Sequence, residues 1–242
     1  MDNIPMKAEK TYDRNNLHTI NERKKQGIKN IQNIYTLNTE RGTATVTPAP
    51  MVRKPVPVLQ NLLQKGQKAA LEHGTPLSGV KACFGWNTTN AQCDVDVSAY
   101  LLGVDGKVLG DNWFVFYGQE QSPDGYVRLQ TQEKDDRQSV TIDLAHLNSQ
   151  VKKIVFVLTI NEAFEKHLNF GMMEDAYVRI LDEQTGQELT SFQMTEYYSN
   201  VISMMIGEIY NHNGTWKFNA VGNGVAKDLA GLCQMYGVQV DD

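Results

Sequence analysis

The chain is dominated by short segments rich in Val, Ile, Phe and Tyr, cut apart by residues that favour turns. Lys81–Phe84, Cys93–Leu102, Trp113–Tyr117, Tyr126–Leu129, Ser139–Leu144, Lys153–Ile160, Ala176–Leu181 and Leu189–Gln193 have the length and composition of strands. Asp105-Gly106, Pro123-Asp124-Gly125 and Thr185-Gly186 lie between them. The run Val104-Asp105-Gly106-Lys107 between apolar stretches is a hairpin signal. A further strand, Thr215–Val221, is entered by Asn213-Gly214. Helical character is expected only near Asn161–His167, Ser199–Ile206 and Gly224–Tyr236. Many short antiparallel strands joined by tight turns predict an all-β fold with a few short helices, a two-sheet β-sandwich.

Charge divides the chain. Residues 1–57 carry a net charge of +5 and residues 58–242 a net of −10, within an overall −5. An acidic body argues against duplex nucleic acid as its ligand, because phosphate binding needs clustered Lys and Arg. The basic stretch holds Ile28, Ile31 and Ile34/Tyr35 at helical spacing. Pro48, Pro50, Pro55 and Pro57 follow, a composition that reads as a linker. Residues 1–57 are therefore expected to form a basic N-terminal arm, and residues 58–242 the sandwich domain. The arm admits four readings: a partner-docking helix, a peripheral membrane contact, a solvated extension, or an arm lying on its own domain. Cys83, Cys93 and Cys233 show no paired spacing and sit among apolar neighbours, as buried free thiols would in a reducing compartment. The start Met1-Asp2-Asn3-Ile4-Pro5 lacks the charged and apolar regions of a signal peptide, and the apolar run Ile154–Ile160 is too short to span a membrane as a helix. A cytoplasmic location is expected.

The chemistry-bearing stretch is Cys93-Asp94-Val95-Asp96-Val97-Ser98. On a strand, Asp94, Asp96 and Ser98 share one face while Cys93, Val95 and Val97 share the other. Two carboxylates one pleat repeat apart repel. Either both face water, or a hard cation that prefers oxygen ligands neutralises them. The run is not an EF-hand loop: Ala99 stands where Gly is needed, and no bidentate Glu follows at the right distance. His18, His73, His146, His167 and His212 have no zinc-like spacing, and no nucleophile motif is present. Gly222-Asn223-Gly224 reads as a strand-to-helix turn, and Trp86, Trp113 and Trp216 as core anchors. No catalytic residue is assigned.

An ordered set of short motifs runs through the body. It comprises Leu63-Gln64-Lys65-Gly66, Gly85-Trp86, Asp94-Val95-Asp96 with Ser98 and Leu101-Leu102, and Asp105-Gly106-Lys107-Val108. Phe114-Val115-Phe116-Tyr117, Ser122-Pro123-Asp124-Gly125, Asp135-Asp136 and Asn169-Phe170-Gly171 follow, then Glu208-Ile209-Tyr210, Trp216–Gly222 and Tyr236-Gly237-Val238. In this order and spacing the chain resembles the TerD (tellurium-resistance) family of bacterial stress proteins over roughly residues 58–240. The resemblance implies a β-sandwich that binds Ca²⁺ through acidic loops, and a non-catalytic role in resistance to tellurite and other stresses. It also implies contacts with other proteins of a resistance complex, or self-association. The metal set it implies is Asp94, Asp96, Asp135 and Asp136.

The departures bear on that set. Family members carry two Asn where this chain has Gly118-Gln119. They also carry a Gly-Asp-Asn stretch and a following acid where this chain has Leu129–Arg137, with Lys134 and Arg137 added. Ca²⁺ takes roughly six to eight oxygens, so fewer ligands and added cations weaken such a site. A cationic side chain standing in for the metal beside Asp135 or Asp136 is one expectation. A metal-independent scaffold or self-assembling protein acting through its arm is the alternative function.

Overall fold

A computed structural model describes residues 53–72 and 77–239; the greater part of the expected arm, residues 1–52, lies outside them. Twelve strands lie among the described residues, β1 Leu62–Leu63, β2 Lys68–Ala70, β3 Gly79–Thr88, β4 Val95–Leu102, β5 Phe114–Val115 and β6 Val127–Gln130 in the first half. The second half supplies β7 Gln138–Asp143, β8 Lys153–Ile160, β9 Met173–Asp182, β10 Glu188–Gln193, β11 Ser203–His212 and β12 Thr215–Val225. One α-helix, α1 Leu229–Tyr236, closes the order. The strands form two six-stranded sheets, β1-β10-β9-β3-β7-β6 and β2-β12-β11-β8-β4-β5. All neighbours are antiparallel except β1 and β10. The expected sandwich is the observed fold.

The inner faces meet in one core. Val80, Ala82 and Phe84 of β3 and Val178 and Ile180 of β9 face Val97, Ala99 and Leu101 of β4 and Ile154, Phe156 and Leu158 of β8. Their period of two is the sheet pattern that the composition predicted. The rings of Phe84 and Phe156 meet edge to face across the sheets at 5.3 Å.

The second sheet is covered on its outer face as well. Tyr100, Leu102, Phe114, Phe116, Val155 and Val157 pack there against Leu232, Cys233 and Val238, from α1 and the residues after it. This explains why β4 and β8 are nearly continuous apolar runs. It also means that the face of β4 carrying Asp96 and Ser98 is covered along much of its length: Ser98 is buried and Asp96 half-buried, while Asp94 is exposed. The helix is capped by Asp228, whose side chain accepts from Gly231 N–H, and closed by Gly237 in the left-handed region at φ 82°.

Three local expectations are corrected. Ser199–Ile206 is not helical, because β11 begins at Ser203 and pairs with both β8 and β12. Asn161–His167 forms turns rather than a helix. Gly222-Asn223-Gly224 belongs to β12 and does not form a separate turn. The Asn213-Gly214 turn is as expected, with both residues at positive φ joining His212 to Thr215.

Candidate functional site

The acidic loop grows out of a hairpin. Strands β6 and β7 pair, and residues 131–137 connect them at one end of the sandwich. The loop is tied down at both ends: Glu133 N–H donates to Arg137 C=O at 3.2 Å, and Arg137 N–H donates to Phe84 C=O at 2.8 Å. Glu133 turns its carboxylate onto the sheet face, where Oε1 accepts from Ser139 Oγ at 2.6 Å and pairs with Lys81 Nζ at 2.6 Å. Burial pushes the Glu133 carboxyl up, but hydrogen bonds from Lys81 and Ser139 outweigh it, and the group is held below the usual carboxylate range. Burial likewise opposes the Lys81 ammonium, yet Glu133 raises it.

Asp136 points inward and is 3% exposed. Arg179 of β9 grips it with both arms, Nε to Oδ1 at 3.1 Å and Nη2 to Oδ2 at 2.7 Å. The Tyr177 hydroxyl donates to Oδ1 at 2.9 Å. That hydroxyl reaches the site because residue 85 is Gly: an added Cβ there would lie 2.2 Å from the Tyr177 ring, so only glycine leaves room for the ring to lie across β3. The Asp136 hydrogen bond strengthens the hold of Arg179 on its proton. Burial first, and then the Asp136 charge, push the Tyr177 hydroxyl far up and the nearby Cys83 thiol up to about 12.

A second cation enters from the start of the described chain. Lys54 Nζ donates to three backbone carbonyls of the loop, those of Glu133 at 2.7 Å, Lys134 at 3.3 Å and Asp136 at 2.5 Å. Its backbone is locked by Asn87, which is 3% exposed. Asn87 Oδ1 accepts from Lys54 N–H and Asn87 Nδ2 donates to Lys54 C=O, each at 2.9 Å. Arg53 pairs with Glu174 at 2.7 Å and Asp175 at 3.1 Å. The root of the arm is thus fastened by side chains of β3 and β9.

The four sequence-assigned aspartates fall in different surroundings. Asp135 is exposed at the loop tip while Asp136 is buried against Arg179. Asp96 belongs to β4 of the other sheet, and Asp94 lies just before that strand. Gln138 bridges the two sheets: its Oε1 accepts from Val97 N–H at 2.7 Å and its Nε2 donates to Asp96 Oδ1 at 3.3 Å. Among the described residues no group of three or more His, Cys, Asp or Glu is arranged to hold a metal ion. A hard cation needing roughly six to eight oxygens does not fit a loop whose carbonyls hold an ammonium and whose buried carboxylate holds a guanidinium.

A cation does sit at the loop, as the added positive charge suggested, but Lys54 and Arg179 supply it. Arg137 instead donates from Nε to Trp86 C=O at 2.5 Å and lies 5.7 Å over the Trp86 ring. Lys134 contributes its carbonyl. Gln119, in the place of a family Asn, donates from Nε2 to Asn112 C=O at 2.7 Å and Phe114 C=O at 2.8 Å. Sequence reasoning passed over Lys54, Asn87, Tyr177 and Arg179. The spacing of Tyr177 and Arg179 on one face of a strand was the available signal. Lys54 lies 79 and 82 residues from its partners Glu133 and Asp136 and gave none.

Comparison with known proteins places this geometry. The TerD domain matches residues 60–236. The tellurium resistance protein TerD of Serratia marcescens is 38% identical over 185 residues, covering 73% of this chain and 96% of that protein. General stress protein 16U of Bacillus subtilis (strain 168) is 37% identical over 188 residues, covering 74% and 97%. Among solved structures, a homologue of telluride resistance protein from Streptomyces coelicolor A3(2) superposes with a TM-score of 0.50 at 15% identity, covering 69% of this chain and 100% of that one; at that identity the likeness speaks for the fold alone. The ordered motifs, the two-sheet sandwich and the extent of these matches agree: the chain belongs to the TerD domain family of tellurium-resistance and stress proteins.

Proposed function

We propose that this protein is a non-catalytic resistance and stress-response module that works by binding other proteins, and that its loop end is ordered by its own cations instead of Ca²⁺. The observation that carries the reading is Lys54: its ammonium occupies a cradle of three loop carbonyls of the kind that would otherwise attract a hard cation. The buried pair of Asp136 with Arg179 supports it, because a carboxylate gripped by a guanidinium and a tyrosine hydroxyl has little left to offer a metal.

The tellurite and stress roles rest on what the relatives are named for, and the non-catalytic reading on the lack of a nucleophile motif in the sequence, with which the state of two buried thiols agrees. Burial pushes Cys83 and Cys233 up to about 12, which leaves them as thiols and poor nucleophiles at neutral pH. Two measurements test the reading. Full-length protein should show the same melting temperature in Ca²⁺ and in EDTA. A tellurite-sensitive host expressing the protein should gain tellurite tolerance in calcium-depleted and calcium-replete medium alike; dependence on added Ca²⁺ in either assay would refute it.

A further inference from the structure

Residues 53–61 are seated on the body much as a bound peptide is. They run from the start of β9, where Arg53 pairs with Glu174 and Asp175, to the start of β10, where Glu188 Oε1 accepts from the N–H groups of Gln60 at 2.8 Å and Asn61 at 3.1 Å. Because Glu188 pairs with Leu181, the segment spans most of the length of β9. Side chains of the body hold its backbone at both ends. Between these anchors Pro55 and Val58 are exposed and Val56, Pro57 and Leu59 half-buried, so little apolar surface ties the two ends together. Lys54 and Val56 each precede a proline, which biases both to an extended backbone and lowers the entropy lost on seating. The TerD domain match begins at residue 60, so residues 53–59 stand outside it.

The anchor at the loop end carries the selectivity. Asn87, 3% exposed, commits both ends of its amide to the main chain of Lys54, accepting from its N–H and donating to its C=O at 2.9 Å each, a pairing that recognises extended backbone. Asp175 Oδ2 accepts from Asn87 Nδ2 at 2.9 Å and fixes that amide. Side chains are then sorted by shape. Glu174 and Asp175 take a guanidinium, and the three loop carbonyls take an ammonium. An empty seat would leave those carbonyls and the buried Asn87 amide short of partners, so the segment is exchanged for a like one more readily than it is lost.

We propose that this seat is a peptide-binding site, which the chain's own residues 53–54 occupy in competition with a partner: a protein presenting an exposed, extended Arg-Lys-Pro segment. The inference rests on the reading that the protein works by binding other proteins, and it names the surface and the chemistry of the partner. A second copy is the poorer occupant, because its own segment is already seated and exchange forms no new contact. A partner gains where its flanking residues touch surface that the tethered segment leaves open. Its arrival lifts residues 53–54 and still leaves an ammonium on the loop carbonyls.

The test uses full-length protein and a labelled peptide with the sequence of residues 51–59. In wild type the tethered segment competes at millimolar effective concentration, whereas Arg53→Ser with Lys54→Ser vacates the seat. The peptide should bind the double variant at least about tenfold more tightly than wild type, and a peptide carrying the same two substitutions should bind neither. Amide exchange at Glu133 and Arg137, faster in the double variant, should slow again when the peptide is added. Should the double variant not fold, Lys54→Met carries the same comparison. Equal binding to variant and wild type, no binding to a cooperatively folded variant, or binding without slower loop exchange would overturn the proposal. So would wild-type dimers that exchange residues 53–54, which would make a second copy the occupant. Absence of peptide binding with a Ca²⁺-independent melting temperature would sink this inference and spare the loop's own cation; peptide binding with a Ca²⁺-dependent one would do the reverse.

Discussion

Replacing Lys54 with Met removes the ammonium from three loop carbonyls but keeps the aliphatic stem and the backbone bonds to Asn87. The magnitude follows from the contacts. The Lys134 carbonyl is exposed and 3.3 Å away, and contributes little. The other two acceptors are half-buried, at 2.7 and 2.5 Å. Hydrogen bonds to charged groups contribute about 1.5–3 kcal/mol each, and fixing the lysine side chain costs about 2 kcal/mol. The net loss expected for Lys54→Met is therefore about 2 kcal/mol. For a domain of this size that is a fall of about 4–8 °C in melting temperature. Urea unfolding gives the free energy, and hydrogen exchange locates it. The amides of Glu133 and Arg137, which tie the loop, should exchange faster, while those in β8 keep their protection. A loss below about 0.5 kcal/mol, or one without faster loop exchange, would refute the idea that the ammonium orders the loop.

Other perturbations probe separate parts of the account. Asp136→Ala should cost about 3–5 kcal/mol by urea unfolding, because it leaves the Arg179 guanidinium partly buried without its carboxylate; a loss under about 1 kcal/mol would mean that the pair is dispensable. The Glu133 carboxyl is held below its ordinary value of 4.5, so its stabilisation is present above that pH and is lost as pH falls through the folded value. Glu133→Gln should therefore be destabilised at neutral pH and show a shallower acid decline, which unfolding curves between pH 3 and 7 would reveal. Trp216 is 9% exposed within the inner core, and Trp216→Ala should cost about 3–5 kcal/mol; an unchanged melting curve would place the ring outside the core.

How far the sequence could be read depends on whether a feature is local. β8, Lys153–Ile160, was legible residue for residue because seven of its eight positions are buried and it is rich in β-branched residues. The start of β11 fell within Ser199–Ile206, expected to be helical, where Ile202 and Ile206 sit four apart and Met204 and Met205 favour a helix; pairing with β8 and β12 overrode that local pattern. β1 and β2, two and three residues long, carry no period to detect. At the site the acids were visible by spacing, but which of them face inward was not. Asp135 and Asp136 are neighbours, and only the second meets Arg179. The surroundings of Asp136 are set by Gly85 and Tyr177, paired across two strands, and those of the loop by Lys54. The Gly85–Tyr177 pairing follows from strand register and the Lys54 contact from the path of the chain before β1, and no window of sequence contains either.

The claim that the loop end carries its own cation is tested most directly by the melting temperature of full-length protein in excess Ca²⁺ against EDTA. A ligand that binds only the native state stabilises it by mass action. The account predicts superimposable curves, because the Lys54 ammonium and the Arg179 guanidinium already hold the donors a metal would need. A rise of several degrees in Ca²⁺, reversed by EDTA, would contradict it.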